Sequence, residues 1–265
     1  MDRPRATTSV TPTQLVGARL FVDEPWVDLL ALPCALLLGL LSRTTTLGRL
    51  LAYPLQIQFH ELGHALMAWL TSRAALPLPF GFTFWKLERS AFTGGCVLFL
   101  LGVLGVSALR ERRWFGLALA ATLLSGFCVL TFAMTAEASE AYILAGGIAG
   151  ELVLTSALLC GFYFPLPDRL RWDFFRFVAL VPAATAWLES ASLWRAVQRG
   201  TRALPYGSIM GGEGTGDLDR LIAAHAWTPE GIASLYAGVA RLSALAMLAV
   251  YAVHATRALQ RLRAR

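Results

Sequence analysis

The sequence predicts an all-α polytopic membrane protein with about seven transmembrane helices and a short membrane-associated strand or hairpin. Two observations predict that class. Of the 265 residues, 56% are hydrophobic, and the mean hydropathy is +0.57; a soluble domain is usually about 45–50% apolar. The excess is gathered into blocks at 26–42, 48–70, 92–109, 114–134, 141–165, 174–194 and 231–256. Lipid offers no partner for open peptide groups, so such blocks must be helices.

Residues 1–25 are polar and rich in Thr and Pro, and lack the apolar core and cleavage site of a signal peptide. They read as a flexible N-terminal segment, followed by a single membrane-embedded domain over 26–265. Basic stretches follow the first, third, fifth and seventh blocks: Arg43 with Arg49, RERR at 110–113, DRLRWDFFR at 168–176 and RALQRLRAR at 257–265. If the blocks alternate in direction, these exits lie in the cytoplasm, with the C-terminus cytoplasmic and the N-terminus external, as in a bacterial-type cytoplasmic membrane. The acidic TAEASEA at 135–141 fits the outer side. The exit from the sixth block breaks the pattern, because it carries Arg195, Arg199 and Arg202.

Two stretches are not simple helices. LPLPFGFTFWKLERS at 76–90 alternates Phe80, Phe82 and Phe84 behind two prolines, as a strand or hairpin does. Loop 196–230 holds Gly207, Gly211, Gly212, Gly214 and Gly216, which exclude a stable helix through its centre. A connection of that length inside a compact protein is usually functional.

The net charge of +6 rests on loop arginines rather than on a soluble basic face, which excludes nucleic-acid binding. Cys34, Cys96, Cys128 and Cys160 stand singly in separate blocks and read as small buried hydrophobes rather than disulfides.

The chemistry lies in FHELGHALMAWL, which begins at Phe59. His60 and His64 are one helical turn apart on one face, and two imidazoles so placed can share one Zn²⁺. Glu61 can then lie beside the metal and handle the proton of a bound water. Gly63 would leave open space where a substrate backbone approaches. Ionisable groups inside a membrane block are costly and usually mark function. The chain has only four histidines, too few for a membrane di-iron oxidase. A catalytic zinc needs a third protein ligand. The candidates are Asp217, Asp219, Glu151, Glu189, Glu213 and His225. Gly146 and Gly150 form a GxxxG pair that permits close helix packing.

FHELGHALMAWL resembles the first signature of the site-2-protease group of intramembrane zinc metalloproteases. The hairpin-like 76–90 and the small-residue LAGGIAGELVL at 144–154 agree with that resemblance. It implies a zinc-dependent endopeptidase that cleaves membrane-embedded or membrane-proximal segments of protein substrates. Glu61 would be the catalytic general base. GGEGTGDLDRL at 211–221 stands where the family carries its aspartate ligand, so the resemblance implies His60, His64 and Asp217 around the metal, with Asp219 two residues on as the alternative. Loop 196–230 must then dip back into the bundle. Phe80, Phe82 and Phe84 would border the substrate by strand addition. The alternatives are an inactive relative that binds or regulates membrane partners, and an integral-membrane zinc peptidase with a glutamate as third ligand. Oligomeric state is not encoded in any of these features.

Overall fold

A computed structural model describes residues 24–79, 81–112, 114–164, 173–207 and 216–265. Helix α1 spans Pro25–Ser42 and α2 spans Thr46–Leu70. Strands β1 (Arg73–Leu78) and β2 (Phe82–Arg89) form an antiparallel hairpin. Then come α3 (Ala91–Arg110), α4 (Trp114–Cys128, continued by a π-helical turn over Val129–Ala133), α5 (Ala136–Gly161), α6 (Asp173–Gln198), α7 (Asp217–His225) and α8 (Pro229–Arg263). Hydroxyls start several of these helices: Thr45, Ser90, Thr135 and Thr228 each accept the backbone N–H three residues on.

Among the described residues, six helices are long and apolar enough to cross a membrane: α1, α3, α4 with its π turn, α5, α6 and α8. The α3–α4 pair packs against itself and leaves most of its apolar surface outward, with Phe92 81% and Phe99 70% exposed. That surface is suited to lipid. Cys34, Cys96 and Cys128 are exposed rather than buried, and no disulfide links any of the four cysteines.

Helix α2 is absent from the six, because Gln56, Gln58, His60, Glu61 and His64 interrupt its hydropathy. Its direction also departs from the alternating scheme. Helix α5 lies antiparallel to α2, with Glu151 beside Gln56 and Ile143 beside His64. It lies parallel to α8, with Ala145 beside Tyr236 and Tyr163 beside His254. Helix α6 is antiparallel to α8, with Trp194 on Tyr236 and Trp187 on Ser243. Helix α1 is parallel to α6: Gly39 meets Ala184, and Arg43 reaches the Leu188 carbonyl and Ser192. Thus α1 and α2 run in the same sense, and three residues between them leave no room for a return. Hydropathy blocks carry no direction, so alternation of seven crossings does not hold for them. The termini agree: Arg265 pairs with Glu24 at 3.3 Å and Arg261 with Asp28 at 3.8 Å. The start of α1 and the end of the chain therefore share one face, not opposite faces.

The hairpin leaves and rejoins the bundle at its other face, where α2 ends and α5 begins. Arg73 donates to the Ala136 carbonyl, and Arg89 donates to the carbonyls of Leu130 (3.1 Å) and Met134 (2.8 Å). The tip turns through Gly81 at φ +89°, a conformation that favours glycine. Loop 196–230 is shorter than its glycines suggest: α6 runs to Gln198, and α7 begins at Asp217, just past the last of the five glycines.

Candidate metal centre

Close packing of α2 on α5 creates the site. A Cβ on Gly63 would lie 2.2 Å from the Gly146 carbonyl oxygen and 2.8 Å from the Gly150 Cα. The space beside Gly63 is filled by α5, so this glycine serves helix contact rather than substrate approach, and the GxxxG pair is its counterpart. The next residue, Gly147, faces the histidines. A Cβ there would lie 2.4 Å from His64 Nε2 and 2.5 Å from His60 Nε2.

His60 and His64 stand edge to face, with ring centroids 4.7 Å apart. His60 Nδ1 lies 2.8 Å from Glu151 Oε1, and Gln56 donates to the other oxygen of that carboxylate at 3.0 Å. His64 Nδ1 lies 2.7 Å from the Ile143 carbonyl oxygen. An ionised carboxylate and a carbonyl only accept, so both rings carry a proton on Nδ1 and donate it. A neutral ring then presents a bare lone pair at Nε2. Both Nε2 atoms point at Asp217 Oδ2, at 3.1 Å from His60 and 3.0 Å from His64. At these distances either a proton or a metal ion lies between each Nε2 and the carboxylate oxygen. Ligands about 2.0–2.1 Å from a tetrahedral zinc lie roughly 3.3 Å from each other, close to the spacing found. Two imidazoles and a carboxylate are a donor set that suits zinc. His60, His64 and Asp217 thus form a group able to hold a metal ion.

Asp217 reaches this depth because the chain turns inward after α6, and α7 leads it out again to Trp227, whose ring meets Tyr142 edge to face. The inward turn is held by Asp219, whose Oδ2 accepts the backbone N–H of Gly207 (3.0 Å) and of Gly216 (3.1 Å). Asp219 therefore closes the start of α7 and is not among the residues grouped at the candidate site. Glu151 meets His60 from the Nδ1 side, and Glu189 lies 4.0 Å from Arg49 on another face. His225 ends α7, about 12 Å along the axis from Asp217. Glu213 lies outside the described residues.

Glu61 is buried, and its Oε2 accepts the Thr83 hydroxyl at 2.7 Å. The same hydroxyl lies 2.9 Å from the Glu61 backbone oxygen. Trp85 stacks on His64 with centroids 5.8 Å apart, and the Arg220 guanidinium sits 5.6 Å from the Trp85 ring centroid. Strand alternation puts Thr83 and Trp85 on the site side. Phe84 is 63% exposed and does not border the site; Phe82 does, and Phe80 lies outside the described residues. A cleft of about 460 Å³ opens over His60, Glu61, His64 and Asp217, with Tyr53, Phe82 and Pro205 on its walls.

Compared with family models, curated proteins and solved structures, the chain matches none of them.

Proposed function

We propose that the chain is an intramembrane zinc metalloprotease that hydrolyses peptide bonds in membrane-embedded or membrane-proximal protein segments. The observation that carries this reading is the convergence of His60 Nε2, His64 Nε2 and Asp217 Oδ2 beside the carboxylate of Glu61. The likeness of the HELGH helix to the site-2-protease group supports it. In this reading α1 and α2 together make one passage, giving six in all, with the C-terminal arginines on the cytoplasmic face.

His60, His64 and Asp217 would hold the ion. Zinc held there would supply Lewis acidity near neutral pH. Glu61 would act as the general base that takes a proton from the attacking water and passes it to the leaving amine. Thr83 fixes the carboxylate by donating to Oε2, and Glu61 lines the cleft. Glu151 and Ile143 hold the imidazoles in one tautomer and orientation. An unwound substrate segment would lie along β2 at Phe82–Trp85, where backbone hydrogen bonds hold it extended. Unwinding is required because a helical peptide bond is enclosed by its own hydrogen bonds.

The test compares wild type with Glu61→Gln, purified as the full chain and supplied with single-span peptides in proteoliposomes. The variant should keep its metal and lose roughly 10²–10⁴-fold in cleavage rate. Equal cleavage by both proteins would remove Glu61 from the chemistry. No cleavage by wild type of any span in a broad panel would favour a binding or regulatory role.

A further inference from the structure

We propose that the cleft between the end of α6 and the middle of α8 binds the phosphate headgroup of an anionic phospholipid. This cleft, of about 300 Å³, is separate from the metal centre. Arg195 and Arg199 line it from α6, Arg241 from α8, and Gln198 stands beside them. Its inner wall is Trp187 with Ala191, Ala237 and Ala240.

Three arginines converge here with no carboxylate, carbonyl or hydroxyl on any of them among the described residues. Three other arginines that pack within the bundle are partnered. Arg43 holds Leu188 and Ser192, Arg49 faces Glu189, and Arg220 pairs with Glu140 at 2.8 Å. Arg195 and Arg199 stand one turn apart, a like-charge spacing that destabilises a helix. Arg241 adds a third like charge from a second helix. An anion between them relieves that repulsion, and guanidinium forks match phosphate oxygens.

The apolar wall decides the kind of anion. Trp187 donates its ring N–H to Ser243 at 2.9 Å, so the wall offers carbon rather than polar atoms. Ala191 of α6 and Ala237 and Ala240 of α8 are buried and complete the apolar inner wall of the same cleft. Both helices are apolar enough to span a bilayer. A charged cleft with an apolar inner wall, between two helices that can span a bilayer, matches the headgroup phosphate of a lipid. Arg195 and Arg199 also break the basic pattern of the other loops, lying at the opposite end of the bundle from the C-terminal arginines. A local ligand accounts for that departure where orientation alone does not.

Native mass spectrometry of the full chain tests this, with phosphatidylglycerol and phosphatidylcholine of identical acyl chains. Phosphatidylglycerol should bind saturably and more tightly. The double variant Arg195→Gln, Arg241→Gln should weaken it roughly thirtyfold, while Arg195→Lys, Arg241→Lys keeps most of the affinity. Equal binding of the two lipids by wild type would overturn the proposal, even if the glutamine variant failed to fold. So would a folded glutamine variant with unchanged preference. Full displacement of the lipid by millimolar inorganic phosphate would assign the cleft to free phosphate and overturn the lipid assignment.

Discussion

Glu151 of α5 accepts the Nδ1–H of His60 at 2.8 Å, and this contact turns the opposite ring nitrogen toward Asp217. Gln56 holds the second carboxylate oxygen, so the glutamate cannot swing onto the metal side without breaking two bonds. Glu151→Ala should weaken zinc affinity about 10- to 100-fold without abolishing it. Competition with a fluorescent chelator measures this. Affinity lost as completely as in His60→Ala would make Glu151 a direct ligand, as in the glutamate-ligand alternative.

Gly147 is the point at which α5 passes the two histidines. Gly147→Ala places a methyl group within 2.6 Å of three imidazole atoms. The variant should lose the metal and about 1–3 kcal/mol of stability, the usual range for overpacking. Metal content and thermal unfolding check both parts. Gly238, whose added Cβ would meet nothing within 4 Å, is the matched control and should tolerate alanine.

Thr83 touches Glu61 from the hairpin, on the face of β2 opposite Phe84. Thr83→Val removes a hydrogen bond to a charged group, worth about 1.5–3 kcal/mol, so cleavage should slow roughly 10- to 100-fold. The metal should stay, because Thr83 contacts no ligand atom. Parallel rate and metal measurements separate this from misfolding, and Thr83→Ser should restore most of the rate.

Glu24 and Arg265 lie on one face of the bundle. Single cysteines at these two positions, in a chain freed of its native cysteines, should be labelled by an impermeant reagent from the same side of the membrane. Labelling from opposite sides would restore seven alternating crossings.

Some of this was readable from the residues and some was not, for physical reasons. The histidine pair was readable because a four-residue spacing fixes two side chains on one helix face. The hairpin was readable from the alternation and prolines at 76–90. That alternation directed attention to the phenylalanines, of which Phe82 borders the cleft and Phe84 does not, whereas Thr83 and Trp85, of the opposite parity, touch Glu61 and His64. Glu151 was recognisable as a costly intramembrane acid. Its role depends on which face of α5 meets α2, a fact carried by no local pattern. Gly63 was misread for the same reason, since only the packed pair shows that Gly146 and Gly150 occupy its surroundings. The resemblance alone put Asp217 ahead of Asp219 and left both open; in the structure Asp219 closes the turn that presents Asp217 to the histidines.

The central claim is that His60, His64 and Asp217 present three lone pairs to one cation. Elemental analysis of the full chain, purified in detergent without chelator, tests it most directly, beside Asp217→Ala and Asp219→Ala. Wild type should carry about one zinc per chain, Asp217→Ala should lose most of it, and Asp219→Ala should lose less because it only loosens the turn. Wild type without stoichiometric transition metal, or an Asp217→Ala protein that binds zinc as tightly as wild type, would contradict the account.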